Sequence, residues 1–512
     1  MDEDTLKELE SRRTVARAMG GAAALAKLKA AGKVDARERI EQLLDPGSFR
    51  EIGLLARSQH GALKARTPAD GLVAGWGTID GREVYVASED ASVIAGTRGR
   101  VAEAKNQRVR DLALRHRRPF IALMEAGAGR FQENNGAIAA GLGARFKEHF
   151  MLSGRVPQVA AVMGACFGGP SFTALQSDLV TIVASSGYMG MSGPPVVKVG
   201  IGKVVSAEDI GGAKKSATIT GQADLLAQND MEALAAIRAF LSFLPSNCDE
   251  LPPNVAPRPA ACDTPEGALR LTQIVSENHR RAYDMEELIR LIVDGGEIFH
   301  YRQTYGPSLI TALARMDGQS VGILANNPMK MAGAIDEKGI QKARKFVDTC
   351  NAFHIPLVFL VDCPGFMVGP EIENQRMVSL ASRFLNSVIG ADVPKATIVL
   401  RKAVGLAYLA MGGRVMAPDA IVAWPTAQFD VMGPAAGVEL TYGKEIAKAA
   451  DPAARRSELL ASAEAQASAY IAAEMALIDD VIAPVETRAV ILDVLARTRP
   501  GRVPSFKHRI DP

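Results

Sequence analysis

The sequence has little of what would tie it to a nucleic acid, a membrane or a metal. Its 59 Lys+Arg are nearly balanced by 57 Asp+Glu, for a net charge of +2. No basic block occurs, so the local positive excess of a nucleic-acid-binding surface is missing. No run approaches the ~18 uninterrupted apolar residues of a membrane span. The acidic start Met1-Asp2-Glu3-Asp4 has no apolar stretch of the kind a secretory signal carries, so none is expected there. The five cysteines (Cys166, Cys248, Cys262, Cys350 and Cys363) are odd in number and form no CxxC pair, which argues against a disulfide framework and a zinc ribbon. A reducing cytoplasm is the expected setting, with no metal site. The seven histidines are scattered, without HxxxH spacing or an evident nucleophile–base pair. No GxxxxGK[ST] loop is present, and Gly200-Ile201-Gly202-Lys203 lacks its spacing, so ATP is not an expected ligand.

What is present is a chain of 512 residues, 48% hydrophobic, longer than one core usually serves. It reads as a diverged duplication. Arg118-Pro119-Phe120-Ile121-Ala122-Leu123-Met124-Glu125-Ala126-Gly127 matches Ile355-Pro356-Leu357-Val358-Phe359-Leu360-Val361-Asp362-Cys363-Pro364-Gly365. Each is a proline, an apolar strand-like run, an acidic residue and a small-residue turn. Val156-Pro157 and Val393-Pro394 open a second matched pair, and the prolines lie 157−119 = 38 and 394−356 = 38 apart. Met191-Ser192-Gly193-Pro194 and Val431-Met432-Gly433-Pro434 form a third. Leu244 to Ala261, rich in Pro, Asn and Asp, reads as the linker between halves. Strand-like runs alternate with helix-period stretches such as Asn106–Arg115 and Gly339–Phe353, so each half is expected to be an α/β unit.

In both halves a strand runs into a glycine turn and then a helix start, at Gly168-Gly169 and at Gly405-Leu406-Ala407. Such a turn points free N–H groups outward, where the helix dipole adds positive potential. The neighbouring strand of each half ends in its own small-residue turn, Gly127-Ala128-Gly129 or Pro364-Gly365. Paired donors of this kind form an oxyanion hole suited to a thioester enolate. Glycines also serve tight turns and close packing, and that reading stays open at this point.

The chain resembles the carboxyltransferase (β) subunits of propionyl-CoA and acetyl-CoA carboxylases over nearly its whole length. The residues that carry the resemblance include Arg37-Glu38-Arg39-Ile40, Gly75-Trp76-Gly77-Thr78, Glu208-Asp209-Ile210-Gly211-Gly212-Ala213-Lys214, Val361-Asp362-Cys363-Pro364-Gly365-Phe366, Ala423-Trp424-Pro425-Thr426-Ala427 and Ile478-Asp479-Asp480-Val481. It implies two tandem crotonase-like domains, 1–250 on the coenzyme A side and 251–512 on the biotin side, in a homo-hexamer or mixed hexamer. It implies transfer of a carboxyl group from carboxybiotin to the α-carbon of an acyl-CoA, with the biotin nitrogen taking the α-proton. The partner would be a biotin carboxylase and biotin carrier subunit. Met329-Lys330-Met331 looks like a biotin acceptor, but it follows Asn326-Asn327-Pro328 inside a domain, so biotin is expected on another chain.

By motif position Gly168 and Gly169 match the first oxyanion turn and Gly405, Leu406 and Ala407 the second. Gly127, Ala128, Gly129 and Pro170, with Gly365, Phe366 and Leu409, would lie against acyl-CoA or biotin. Pro170 departs from the family pattern, and proline has no N–H. Losing one oxyanion donor costs roughly 2.7–4 kcal/mol of transition-state stabilisation. Leu406 and Leu380 also depart, and with Leu409 and Pro170 they suggest an altered acyl pocket, or a weakened or lost activity. Three alternatives follow: the carboxyltransferase of a biotin-dependent decarboxylase, a non-catalytic subunit of a mixed hexamer, or a hydratase or isomerase using Glu125 and Glu133.

Overall fold

The computed structural model describes residues 2–512. The chain forms two compact units, Met1–Glu250 with Ser505–Pro512, and Leu251–Pro504. The break falls inside the Pro-rich stretch read as a linker. The last residues, 505–512, pack on the first unit, where the sequence expectation assigned them to the second half. There Ile510 N–H donates to Ser153 Oγ at 2.9 Å and Arg509 Nε to the Phe150 carbonyl at 2.9 Å.

The first unit is built on β1 (Arg50–Glu51), β2 (Leu72–Ile79), β3 (Arg82–Glu89), β4 (Phe120–Met124), β5 (Gln158–Val162), β6 (Ala165–Phe167), β7 (Leu179–Val183), β8 (Tyr188–Gly190) and β9 (Leu225–Ala227). Its main sheet has the order β1-β2-β3-β4-β5-β7-β9, and β6 pairs with β8. The β2–β3 hairpin closes through Asp80 and Gly81 at φ 49° and 75°. Positive φ at both centres is what a two-residue turn needs to follow the strand twist, and Asp-Gly tolerates it. From β3 to β9 the pairing is parallel. Helix Arg100–His116 makes the crossover from β3 to β4. β5 and β7 are buried at every residue, as strands covered on both faces must be, which explains their unbroken apolar runs.

The second unit repeats this frame with β10 (Ile298–His300), β11 (Leu309–Met316), β12 (Gln319–Asn326), β13 (Leu357–Cys363), β14 (Lys395–Val404), β15 (Ala420–Ala423), β16 (Gln428–Asp430) and β17 (Asp480–Val481). The sheet order is β10-β11-β12-β13-β14-β15-β17, with β16 beside β14. Its hairpin turns at Asp317 and Gly318, φ 51° and 71°. Helix Glu337–Ala352 is its crossover.

The registers show how closely the two frames agree. Leu72 faces Glu89 and Leu309 faces Asn326, so 309−72 = 237 and 326−89 = 237. Phe120 faces Gln158 and Leu357 faces Lys395, so 395−158 = 237 again. From β2 to β5 the offset holds; past the glycine turns Val159–Leu179 corresponds to Ala396–Ala420 and 420−179 = 241. The duplication therefore holds residue by residue through the strands that carry the turns.

Candidate functional site

In the first unit the turn after β6 holds Gly168 at φ 68°, ψ −133°, followed by helix Gly169–Leu175. A left-handed φ suits glycine there. The Gly168 N–H donates to the Gly190 carbonyl at 3.0 Å. Sequence reasoning counted Gly168 among the oxyanion donors; its amide is instead committed to the end of β8. The Ser171 N–H closes on the Gly168 carbonyl at 3.0 Å, and Ser171 Oγ donates there and to Gly190. Pro170, inside the helix's first turn, has no N–H to offer. What remains at this turn is the amide of Gly169, which precedes any intrahelical acceptor.

The adjoining strand end is equally well ordered. Glu125 N–H donates to Glu89 Oε2 at 2.7 Å, Gly127 N–H reaches the Ala95 carbonyl at 3.5 Å, and the Ala128 carbonyl accepts from Arg98 N–H at 3.0 Å. Gly129 pairs with Arg98 in an isolated bridge. Beside them lies a turn that the sequence reading missed, Ile94-Ala95-Gly96, with φ of 45°, 52° and 64°. Two non-glycine residues in the left-handed region are costly, and such strain gathers at functional sites. Any side-chain carbon at Gly96 would lie 2.3 Å from the Glu125 carbonyl oxygen.

Buried ion pairs fix this scaffold. Glu125 is bound by Lys33 and, at 2.7 Å, by Arg39, which also holds Asp230 at 2.9 Å. Arg130 binds Asp70 at 2.6 Å and Glu133 at 2.8 Å. Glu133 further accepts from Ser58 at 2.6 Å and from Arg100 N–H at 2.9 Å. Burial pushes its pKa up, but the Ser58 and Arg130 bonds outweigh that and hold it below the ordinary carboxylate value. Glu125 and Glu133 are thus structural anions with their oxygens in use. His149, fully buried against Gln158 at 2.8 Å, is pulled down to about 3 by burial and by Arg110, so it stays neutral.

The second unit repeats the pattern by the same offset. Asp362 N–H donates to Asn326 Oδ1 at 3.2 Å, as Glu125 N–H does to Glu89, since 362−125 = 237. Met331-Ala332-Gly333 turns left-handed at φ 49°, 54° and 87°. Ile335 N–H donates to the Gly365 carbonyl at 3.1 Å, and Phe366 bridges to Ile335. Asp362 is fully buried between Arg401, at 2.8 Å, and Lys402, at 3.4 Å. Gly405, at φ 62°, opens helix Gly405–Ala410 after β14. Gly405, Leu406 and Ala407 all keep their N–H groups in the first helical turn. Leu406 projects outward at 65% exposure, Ala407 is buried, and Leu409 is half-buried beside Gly413.

Each unit therefore gathers three turns at the carboxyl ends of its parallel strands, where open α/β sheets place ligands. Main-chain amides, not free acids or bases, are what these turns present. Among the described residues no cluster of three or more His, Cys, Asp or Glu could hold a metal ion.

The chain matches the carboxyl transferase domain family over residues 27–509. It is 37% identical to the propionyl-CoA carboxylase beta chain of Cereibacter sphaeroides, across 97% of this chain and 96% of that one. It is 36% identical to the methylmalonyl-CoA decarboxylase subunit alpha of Veillonella parvula, across 99% and 98%. A solved hexameric transcarboxylase 12S, with methylmalonyl-coenzyme A and methylmalonic acid bound, superposes with a TM-score of 0.92 at 36% identity, covering 100% of this chain and 99% of that one.

Proposed function

This chain belongs to the carboxyl transferase family, as two tandem crotonase-like domains, and on that premise we propose how it works as a biotin-dependent acyl-CoA carboxyltransferase subunit. The first unit takes the acyl-CoA, and the second unit of a neighbouring protomer takes the biotin carried by a separate chain. The assembly is a hexamer, served by a biotin carboxylase and biotin carrier partner.

The observation that carries this reading is the repeated amide-bearing turn, one per unit, with the neighbouring carboxylates locked in ion pairs. A thioester oxygen that gains negative charge as the α-proton leaves needs N–H donors, and Gly169 is aimed from the first turn. A ureido oxygen needs the same, and Leu406 and Ala407 fit it in the second. Carboxybiotin, when bound, supplies the carboxyl group and, once that is released, a nitrogen base for the α-proton. The protein's own residues orient the two reactants and stabilise their oxygens. Glu125 and Glu133, already paired, leave a hydratase-type acid/base role without its group. The family turn residues Gly127 to Gly129 and Gly365 to Phe366 wall the two pockets, and Leu409 sets the depth of the acyl end.

Five free cysteines, three of them buried with thiols pushed up by desolvation, suit a reducing cytoplasm. No helix among the described residues is long and apolar enough to cross a membrane.

Reconstitution with the biotin partner, ATP, labelled bicarbonate and a panel of acyl-CoAs tests the reading; at least one acyl-CoA acquires label. Failure with every acyl-CoA, from a folded oligomer, rejects it. The decarboxylase relative supports a second direction of flow, in which this chain passes the carboxyl group from a malonyl-type CoA to biotin. Loss of CO2 from such a thioester, with no net fixation under ATP, selects that direction.

A further inference from the structure

The first oxyanion turn is short of donors by comparison with the second. Pro170 corresponds to Ala407, since 407−170 = 237, and the N–H that Ala407 retains is missing at Pro170. One side chain lies against the glycine that precedes Pro170. A side-chain carbon at Gly169 would sit 3.3 Å from Arg145 Nη1 and 3.6 Å from its Cζ, so the guanidinium faces the open side of this glycine.

Arg145 belongs to helix Ala144–Leu152. The next residue, Phe146, packs edge-on against Phe172 of the turn's own helix, with ring centres 6.0 Å apart. That contact ties the helix of Arg145 to the helix of the turn. Arg145 is 12% exposed, and among the described residues its ion partner is Glu103, at 3.5 Å. That approach makes no hydrogen bond: Glu103 Oε2 is buried without a hydrogen-bond partner, while Oε1 is taken by Arg110 at 2.7 Å. The guanidinium is therefore a desolvated fork of donors whose nearest anion is held at arm's length. By the same offset its counterpart is Ser382, since 382−145 = 237, and Ala407 needs no such help.

Resting on the acyl-CoA reading of the first unit, we propose that Arg145 is a catalytic donor to the thioester oxygen, standing in for the main-chain N–H that Pro170 removes. A charged donor to a developing oxyanion is at least the equal of a peptide N–H.

The test uses the full chain with its biotin partner and compares wild type, Arg145→Gln, and Arg145→Gln with Pro170→Ala. Arg145→Gln lowers kcat by roughly 10²–10³, the loss expected for one oxyanion donor, while affinities for coenzyme A and propionyl-CoA, by calorimetry, stay near wild type. Adding Pro170→Ala restores an N–H and recovers at least about tenfold of that loss, a rescue that a purely structural arginine would not show. A kcat within about threefold of wild type in Arg145→Gln overturns the proposal, and so does a loss that Pro170→Ala fails to relieve. Should Arg145→Gln fail to fold, the same comparison is read in Arg145→Lys, where Pro170→Ala must again raise kcat. A wild-type chain that neither binds coenzyme A nor fixes bicarbonate rejects the carboxyltransferase reading itself, whereas an active wild type with an indifferent Arg145 rejects this inference alone.

Discussion

From β2 to β5 and from β11 to β14 the two units share their registers and their left-handed turns at a constant offset, yet differ in what occupies equivalent positions. Where the first has a buried Glu89–Arg98 ion pair, the second has Asn326 and Ile335. Where the first turn has proline, the second has Ala407. Where His149 fills the first crossover region, Asn386 stands in the second. The acceptor for the Glu125 or Asp362 amide survives in both, as a carboxylate in one unit and an amide in the other. Main-chain geometry was kept through the divergence, while side-chain electrostatics were free to change, which is what an account based on backbone donors requires.

Copying residues from one unit into the other exposes these differences. Glu89→Asn, which imports Asn326, strands Arg98 as a buried cation without its partner. Breaking a buried pair costs about 3–5 kcal/mol, read as a lower urea midpoint; adding Arg98→Ile, to complete the second unit's pattern, recovers most of it. Ala407→Pro imports the proline of the first turn into the second, where Ser382 takes the sequence position of Arg145. We expect kcat to fall roughly 10²–10³-fold, about 2.7–4 kcal/mol, with little change in melting, since proline is tolerated in a helix's first turn.

Gly96→Ala and Gly333→Ala should behave alike if the left-handed turns are equivalent. Each places a carbon 2.3 or 2.5 Å from a carbonyl oxygen, at positive φ. Backbone strain of this kind costs about 1–3 kcal/mol, and calorimetric melting should show similar losses in both.

The smallest effect concerns pH. The folded pKa of His149 lies at about 3, below its ordinary value, so below pH 6.5 the unfolded chain binds a proton that the folded chain refuses. The penalty is absent above the unfolded pKa and grows as pH falls towards the folded one. Between pH 6.5 and 5.5 it amounts to about 1 kcal/mol. His149→Asn, matching Asn386, should flatten the stability profile by that amount in urea titrations at the two pH values.

Much of this was legible in the sequence. The paired prolines fixed the strand starts, because each strand is preceded by one, and the duplication followed from their spacing. The expected helices Asn106–Arg115 and Gly339–Phe353 lie within or over the crossovers Arg100–His116 and Glu337–Ala352. Gly168 was misassigned because its partner, Gly190, is brought alongside only by the β6–β8 pairing, which leaves no local trace. The Ile94-Ala95-Gly96 and Met331-Ala332-Gly333 turns escaped because isoleucine, methionine and alanine do not advertise positive φ. Their tertiary surroundings impose it. Glu125 looked free in the sequence because Lys33 and Arg39, which hold it, lie far away along the chain; Glu133 has Arg130 three residues away, but its further partner Ser58 is remote. Arg145 was invisible for the same reason.

The central claim is that this chain stabilises oxygens and lends no side chain to the proton transfer. Its most direct test is α-deuterium washout from a deuterated acyl-CoA into water, followed by mass spectrometry with the chain alone and with its biotin partner. The account predicts no washout above the solvent rate until the biotin partner is present. Washout catalysed by the chain alone would reveal a protein base and contradict it.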